Sequence, residues 1–218
     1  MMDFTFWDIL RNLLLATRWT ILLSIVAFIG GGIVGMAILL ARVSDRRWLR
    51  RFAELYIGLF QGTPLLMQLF LVFFGLPLIG FRIEPWSAAA LALTLCASAY
   101  LAEIWRGGVE ALPKGQWDAA KSLGLHYPNQ MRLIILPQAF AITRAPVVGY
   151  LVQLVKSTAL TSIIGFDELM RTSNAIANAT FEPLTVYGLV GLIYFVICRP
   201  LTLYARHLQL VGGVGQAR

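Results

Sequence analysis

The sequence predicts an all-α, polytopic membrane protein with about five transmembrane helices. Of its 218 residues, 58% are hydrophobic and only 13% are charged, and the mean hydropathy is +0.73. A soluble domain carries about a quarter charged residues, so the apolar excess is expected to face lipid. The two cysteines, Cys96 and Cys198, fall within apolar runs. They support neither a disulfide framework nor a metal site.

Five apolar runs are each long enough to cross a hydrocarbon core of about 30 Å, and they place the whole chain, 1–218, in a single transmembrane domain. The predicted spans are 19–41, 52–74, 86–105, 138–157 and 183–203. Residues 1–18 mix aromatic and charged side chains, which predicts a short interfacial helix before the first span. Within that span, Gly31 and Gly35 have the four-residue spacing of small residues that lets two helices pack closely.

The second and fourth spans are predicted to be irregular. Residues 62–64, Gly-Thr-Pro, break or kink the second span near its middle and free backbone groups that protein or a water-lined cavity must satisfy. The fourth span carries Arg144 and Pro146 in its first half. Residues 160–182 are polar enough to form an external connection, with a short helix at 167–179.

Positive charge is concentrated after particular spans. The richest segments hold Arg42, Arg46, Arg47, Arg50 and Arg51 after the first span, Arg106, Lys114, Lys121 and Arg132 after the third, and Arg199, Arg206 and Arg218 in the tail. The second and fourth loops hold only Arg82 and Arg171, and the N-terminal segment holds only Arg11 and Arg18. Because cytoplasmic loops carry the Lys/Arg excess, the N-terminus is predicted outside and the C-terminus in the cytoplasm. The net charge of +7 reflects these flanks and does not indicate a nucleic-acid partner.

The predicted cytoplasmic loop 106–137 contains its own helical pattern. Residues 116–123 are good helix formers, and the three- and four-residue spacing places a set of small and apolar residues on one face. This set is Trp117, Ala120, Leu123 and Gly124.

Glycine and proline divide that loop into two helices. Gly124 is predicted to end the first helix in a left-handed conformation. Pro128 suits the first turn of a second helix, and Pro137 stops that helix or kinks it into the next span. A helix–glycine–helix projection of this kind is suited to dock into a partner, while the alternative is a solvated surface loop.

The same loop carries a recognisable motif. Asp118-Ala119-Ala120 is followed at fixed spacing by Gly124, Ile134, Leu136 and Pro137. This pattern resembles the EAA loop of importer-type ABC transporter permeases, which reads Glu-Ala-Ala, three residues, Gly, nine residues, Ile, any residue, Leu, Pro. Asp118 in place of Glu is the one departure, and it conserves the charge. Residues 61–68, 98–108 and 156–160 are also similar to the polar amino-acid branch of that family.

The resemblance implies the inner-membrane permease subunit of an ATP-driven importer for amino acids, polar ones in particular, in a bacterial cell membrane. Such a subunit pairs with an identical or homologous permease, two cytoplasmic ABC ATPase subunits and an external solute-binding protein. It binds no cofactor itself, because ATP and Mg²⁺ sit on the ATPase. The implied ATPase-coupling residues are Trp117, Asp118, Ala119, Ala120, Leu123 and Gly124. Asp118 either caps a helix or accepts a hydrogen bond within the loop, or it pairs with a basic group of the partner.

The chain is not predicted to be an enzyme. It contains no Gly-x-x-x-x-Gly-Lys-Ser/Thr phosphate-binding loop, and His126 and His207 stand alone, which supports neither a zinc site nor a triad. The main rival is an ion-gradient-driven secondary amino-acid carrier, although five spans are few for inverted repeats within one chain. A scaffold without a transport path is opposed by the polar residues in the spans.

Those intramembrane polar residues are the candidates for a substrate path, because exposing them to lipid is costly. The set is Thr63, Gln68, Ser98, Glu103, Lys156 and Ser157. Lys156 suits the carboxylate of an amino acid, although it can also snorkel to the interface. Thr63 and Ser98 can bond their own helices instead, and Glu103 can pair with Arg106. Ser157 is neutral where relatives often have an acid or Asn, so an acidic partner for a cationic substrate is missing.

Overall fold

The computed structural model describes residues 5–214, with side chains through residue 211, and every regular element in that part of the chain is helical. Four helical stretches are long and apolar enough to cross a membrane, and a bent pair makes a fifth. The prediction of an all-α protein with about five spans is therefore confirmed. The helices are α1 (Phe6–Arg42), α2 (Arg47–Gly62), α3 (Leu65–Phe70), α4 (Leu76–Leu78), α5 (Pro85–Glu110), α6 (Lys114–Ser122), α7 (Tyr127–Gln130), α8 (Leu136–Ser157), α9 (Leu169–Thr180) and α10 (Pro183–Val214). Two π-helical turns, Leu71–Gly75 and Met131–Ile135, and a 3₁₀ helix, Thr158–Ile164, complete the order.

The first helix is longer than the predicted span. A separate interfacial helix at 1–18 is wrong, because α1 continues without a break from Phe6 to Arg42; residues 1–4 of that prediction, like Arg218 of the tail, lie outside the described residues. The Thr5 hydroxyl accepts the N–H of Asp8 and the Asp8 carboxylate accepts the Thr5 N–H, which forms a capping box. No glycine or proline follows before Gly30, so nothing in the local sequence ends the helix at the interface.

Small residues bring α1 and α5 into close contact, as the glycine spacing predicts. A Cβ added to Gly31 would lie 2.6 Å from the Ala97 Cβ, and one added to Gly35 would lie 2.8 Å from the Ser98 carbonyl oxygen. Real Cβ atoms do not approach other atoms so closely, so only glycine permits this separation. The two helices form the centre of the bundle, and their alanine and leucine side chains contribute much of its buried core.

The second span is broken sharply rather than kinked. Residues 52–74 were expected as one span, but α2 begins at Arg47 and the axes of α2 and the helical segment after it differ by 104°. Thr63 and Pro64 have extended backbones at the break, since proline disfavours a helical residue before it. The Gln68 amide donates to the carbonyl oxygens of Phe60 at 2.8 Å and Thr63 at 3.1 Å. It therefore satisfies backbone groups that the break frees.

Two other helices extend beyond their predicted ends. The third span was expected to stop at 105, but α5 continues through Glu110. Arg106 forms ion pairs with both Glu103 and Glu110 on the same helix face, which supports the extra turn. The last helix likewise continues past 203 to Val214. The external helix expected at 167–179 is α9, which begins two residues later.

The helix after the polar loop passes through Pro137 without stopping. Pro128 lies in the first turn of α7, as predicted. From Tyr127 to Ile164 the chain then forms one helical stretch of 38 residues. The π-helical turn Met131–Ile135 directly precedes Pro137, and such a turn accommodates a residue that cannot donate to the regular hydrogen-bond ladder.

The bundle has two distinct ends. One carries α6 and α7 with the turn between them, which we call the knob, together with the end of α1 and the start of α8. The other, the far end, carries α9 packed against the first turns of α1 and α10. About 35 Å of α1 separates Trp19 from Arg42 at a rise of about 1.5 Å per residue, so the two ends lie on opposite sides of the spans.

Candidate functional site

The knob is shaped by a left-handed glycine between its two short helices. Gly124 has φ +70°, and its N–H donates to the Lys121 carbonyl at 2.9 Å while the Leu125 N–H donates to the Ala120 carbonyl at 3.3 Å. This pair of bonds is the Schellman motif that ends a helix. The prediction that Gly124 turns the chain in a left-handed conformation is confirmed.

The knob is attached rigidly to the bundle. Trp117 and Tyr127 stack with their ring centroids 6.4 Å apart, and both pack on a buried cluster that includes Val109 and Ile135. The Tyr127 hydroxyl donates to the carbonyl oxygen of Val43, just after α1. These contacts join the knob to α1, α5 and the helix leading into α8.

The exposed face of α6 differs from the face that the spacing indicates. Ala120 is fully buried and Trp117 is half-buried against Tyr127, so neither offers the open surface that we expected of a docking face. Leu123 is 74% exposed, and Ala119 and Asp118 are exposed beside it. The helix is therefore rotated, with its aromatic edge turned to the bundle and Leu123 presented to solvent.

Asp118 does not cap a helix. The N-cap of α6 is Pro113, and no side chain caps it. Within the described residues the Asp118 carboxylate forms no ion pair and accepts no hydrogen bond, whereas its backbone carbonyl accepts the Ser122 hydroxyl at 3.0 Å. Contact with a basic group of a partner, the other role considered from the sequence, stays a prediction.

The helix that continues from the knob carries an exposed stripe that ends in two polar residues. Positions spaced by four and three residues along α8 are all solvent-exposed in this chain. They are Ile142, Pro146, Gly149, Gln153 and Lys156. Lys156 lies about 30 Å along the helix from Leu136, towards the far end, and forms no ion pair with any described residue. Glutamine and lysine on a membrane helix do not face lipid at low cost, so this stripe is expected to face protein or water.

A small cavity of about 80 Å³ lies beside this stripe, between α3, α5 and α8. Tyr100 and Tyr150 stack across it with ring centroids 5.2 Å apart and planes 17° apart. Its lining includes Cys96, Gln153 and Ser157, and no acidic or basic side chain among the described residues lines it. The cavity is therefore neutral, and it is lined by two tyrosine rings and by an amide and a hydroxyl of α8.

The predicted path residues separate into two groups. Ser157 lines the cavity and Lys156 is exposed next to it on α8. Thr63 instead donates its hydroxyl to the Leu59 carbonyl at 2.7 Å, and Gln68 is buried against the break in the second span. The Gln68 Oε1 atom is buried without a partner in the described part of the chain.

Ser98 and Glu103 are engaged within the bundle. Ser98 is fully buried, its hydroxyl lies 2.7 Å from the Tyr56 hydroxyl, and its backbone packs on Gly35. Glu103 is held in the ion pair with Arg106. Both side chains have partners within the bundle, and their place on a substrate path stays a prediction.

Replacing Ser98 with alanine is expected to affect stability and leave substrate affinity intact. The change removes the Ser98 contact of Tyr56, whose hydroxyl keeps only the Leu95 carbonyl at 3.2 Å, and an intramolecular hydrogen bond contributes about 1 kcal/mol. We expect a lower thermal midpoint for Ser98→Ala, a shift at least as large for Tyr56→Phe, which loses both contacts, and a double variant that is no worse than Tyr56→Phe alone. A raised KM for the amino acid with an unchanged midpoint would instead place Ser98 on the path.

Sequence reasoning missed two residues of the cavity and one buried acid at the far end. Tyr100 and Tyr150 lie in different spans and are aromatic among apolar neighbours, so only their stacking distinguishes them. Glu168 is fully buried, and its carboxylate accepts the N–H groups of Met170 at 2.9 Å and Arg171 at 2.8 Å. Burial raises the pKa of Glu168 to about 7. An acidic residue directly before a helical pattern was the available signal for this N-cap.

Comparison with known proteins gives consistent matches over nearly the whole chain. A family model described as the binding-protein-dependent transport system inner membrane component matches residues 33–209. The chain is 39% identical over 191 residues to the probable amino-acid ABC transporter permease YckA of Bacillus subtilis, covering 88% of this chain and 84% of that protein. It is 38% identical over 191 residues to the arginine transport system permease ArtQ of the same organism, covering 87% of each. A crystal structure of an amino acid ABC transporter with histidines superposes with a TM-score of 0.84 at 32% identity, covering 94% of this chain and all of that one.

Proposed function

From the premise that this chain belongs to the family of binding-protein-dependent inner-membrane transport components, and is the permease subunit of an amino-acid ABC importer, we propose how its parts divide the work. The subunit is a multi-pass component of the inner membrane that works with an ATPase and a binding protein. In our proposal the knob faces the cytoplasm and docks into the ATPase, while the stripe on α8 lines the substrate path. The observation that carries this proposal is the single helical stretch Tyr127–Ile164, which joins the two.

Coupling follows from that continuity. Two ATPase subunits, which bind ATP and Mg²⁺, each receive the knob of one permease, and Leu123 with Ala119 forms the apolar contact while Asp118 meets a basic group. When the ATPase subunits close on ATP, the two knobs approach each other. The helix that passes through Pro137 then moves as a unit with α8. This movement switches the bundle between two packings, so the substrate path opens to the other side of the membrane.

The path is completed by a second permease subunit, identical or homologous. Gln153 and Lys156 are exposed in the single chain but lie on a membrane helix, so a second subunit or a water-filled path must cover them. If two α8 stripes face each other across the assembly, the second subunit covers these side chains and the space between the stripes forms a water-filled path. Gln68 supports this arrangement indirectly, since it holds the broken helix that packs beside the cavity.

We further propose that the substrate is a polar amino acid with a neutral side chain. Lys156 supplies a cation for the α-carboxylate, while the cavity next to it offers tyrosine rings, an amide and a hydroxyl. The carboxylate nearest along the same face of α5, Glu103, is neutralised by Arg106. A relative is named for arginine transport, but a guanidinium in this neutral cavity would be desolvated without a counter-ion.

Substitution of Lys156 with glutamine is expected to raise the KM for the amino acid about tenfold or more in proteoliposomes that contain the complete importer. Hydrogen bonds to charged groups contribute about 1.5–3 kcal/mol, and about 1.4 kcal/mol corresponds to a factor of ten. Lys156→Arg should recover part of the affinity. Arg206→Gln, a change of the same type at an exposed position of α10 away from the stripe, serves as the matched control.

A direct binding measurement tests the preference for a neutral side chain separately from the role of the stripe in the substrate path. Purified importer without the binding protein is titrated with glutamine and with arginine, and we expect binding of glutamine only. Equal binding of both would contradict the neutral-substrate proposal. An unchanged KM for Lys156→Gln would show that the stripe on α8 does not line the substrate path.

A further inference from the structure

An open cleft lies at the far end of the chain, away from both sites described so far. It has a volume of about 570 Å³ and is open to solvent. Three elements enclose it, namely α1 at Trp19, the start of α5 at Trp86, and the turn that follows the 3₁₀ helix at Phe166. No part of the proposed coupling or transport site uses this cleft.

Its walls are aromatic and continuous. The rings of Trp19 and Trp86 meet edge to face at 6.0 Å, and Trp86 lies 5.2 Å from Phe166. The guanidinium of Arg18 already lies 5.3 Å from the centroid of the Trp19 ring. The aromatic wall therefore includes a ring that accepts a cation in this chain.

Two carboxylates border the same cleft. Asp167 is exposed and pairs with Arg171 at 2.6 Å. Glu84 is exposed at the start of α5, and its carboxylate forms neither an ion pair nor a hydrogen bond with the residues that the structure describes. Rings that attract cations and a carboxylate without a counter-ion together make the cleft complementary to an ammonium or guanidinium group.

Tryptophans at this level of a membrane protein also belong to the interfacial aromatic belt. That role explains the rings but not the carboxylate of Glu84, which repels the phosphate of a phospholipid headgroup, whereas Asp167 is already paired with Arg171. A cationic side chain of a protein has no such phosphate. The charge of the cleft therefore favours a protein partner over the lipid surface.

We infer that this cleft docks a lysine or arginine side chain of the solute-binding protein. The inference rests on the proposed function, since it takes the knob end as cytoplasmic and the far end as external. The family is binding-protein-dependent by description, so an external surface of the importer must receive that protein. The cleft is the external cavity whose chemistry selects one type of side chain.

The position of the cleft also connects docking with the path. Its Gly165–Asp167 wall is continuous with the 3₁₀ helix Thr158–Ile164, which begins directly after Ser157. On its other side the wall leads to Glu168, the buried N-cap of α9. Gly165 has φ +92°, a conformation that lets the chain turn here. A side chain seated in the cleft therefore contacts a segment that is covalently joined to the substrate site.

The test measures the affinity between the binding protein and the complete importer in nanodiscs. Glu84→Lys is expected to raise the Kd about tenfold, because reversal replaces attraction by repulsion, and Glu84→Gln is expected to raise it less. Glu182→Lys reverses an exposed acid at the same end but outside the cleft, and it should leave the Kd unchanged. Elution volume and thermal midpoint establish that each variant is folded.

Charge reversal on the binding protein completes the experiment. Lys→Glu and Arg→Glu variants of the binding protein are screened, and one that restores affinity for Glu84→Lys identifies the docked side chain. An unchanged Kd in folded Glu84→Lys would overturn the inference, as would an effect that disappears when phosphatidylethanolamine is removed from the nanodisc. If the wild-type importer binds no solute-binding protein at all, the proposed function itself fails.

Discussion

Replacing Gly35 with leucine is expected to prevent stable packing of the bundle. A Cβ at this position lies 2.8 Å from the carbonyl oxygen of Ser98, and a backbone oxygen in the middle of α5 cannot turn away as a side chain would. Overpacking a core costs about 1–3 kcal/mol and sometimes more, and we expect at least the upper part of that range. Total stabilities of about 5–15 kcal/mol make this a large loss. The measurement is the yield of monodisperse protein in detergent and its thermal midpoint.

Gly32 supplies the control for this prediction. It lies on the same helix, but an added Cβ there meets only the Trp105 ring at 4.0 Å. Gly32→Leu therefore tests the effect of leucine in this part of α1 without the backbone clash. Equal midpoints for Gly35→Leu and Gly32→Leu would show that the close approach of α1 and α5 does not limit stability.

Replacing Leu123 with aspartate is expected to uncouple the subunit from its ATPase while leaving the fold intact. Leu123 is 74% exposed in the isolated chain, so the change costs little in folding. In the docked complex the carboxylate is buried without a partner, which costs about 3 kcal/mol or more. That corresponds to a loss in affinity of about a hundredfold. Co-purification with the ATPase and ATP-dependent uptake should both be lost.

The same substitution at the opposite end tests whether the effect is local. Leu184 is 89% exposed in the first turn of α10, where an aspartate is compatible with the helix dipole. Leu184→Asp should retain the ATPase. Retention of the ATPase by Leu123→Asp would show that α6 docks through another face.

Much of this fold could be predicted from the chain itself, because lipid makes long apolar helices obligatory. The glycines of α1 and the break at residues 62–64 followed from local chemistry. The angle of 104° at that break could not, since it depends on how Gln68 and the neighbouring helices hold the two halves. The start of α1 and the end of α5 were missed because a capping box sets the first and ion pairs support the second, and hydropathy reports neither.

The knob was partly predictable for a similar reason. Gly124 has a local signal, so its conformation was anticipated. The rotation of α6 was not, because the stacking of Trp117 on Tyr127 involves two segments and turns Ala120 inward. The position of Ser98 in a span suited a path residue as well as a packing residue. Its contact with Tyr56, which lies on another helix, could not be predicted from the local sequence.

The most direct test of the account is uptake by proteoliposomes that contain this chain, its cognate ABC ATPase and the binding protein. The account predicts that a neutral polar amino acid accumulates only when ATP and all components are present, and that Leu123→Asp abolishes this uptake. Accumulation by the purified chain alone, driven by a proton or sodium gradient without ATPase, would contradict it and identify a secondary carrier.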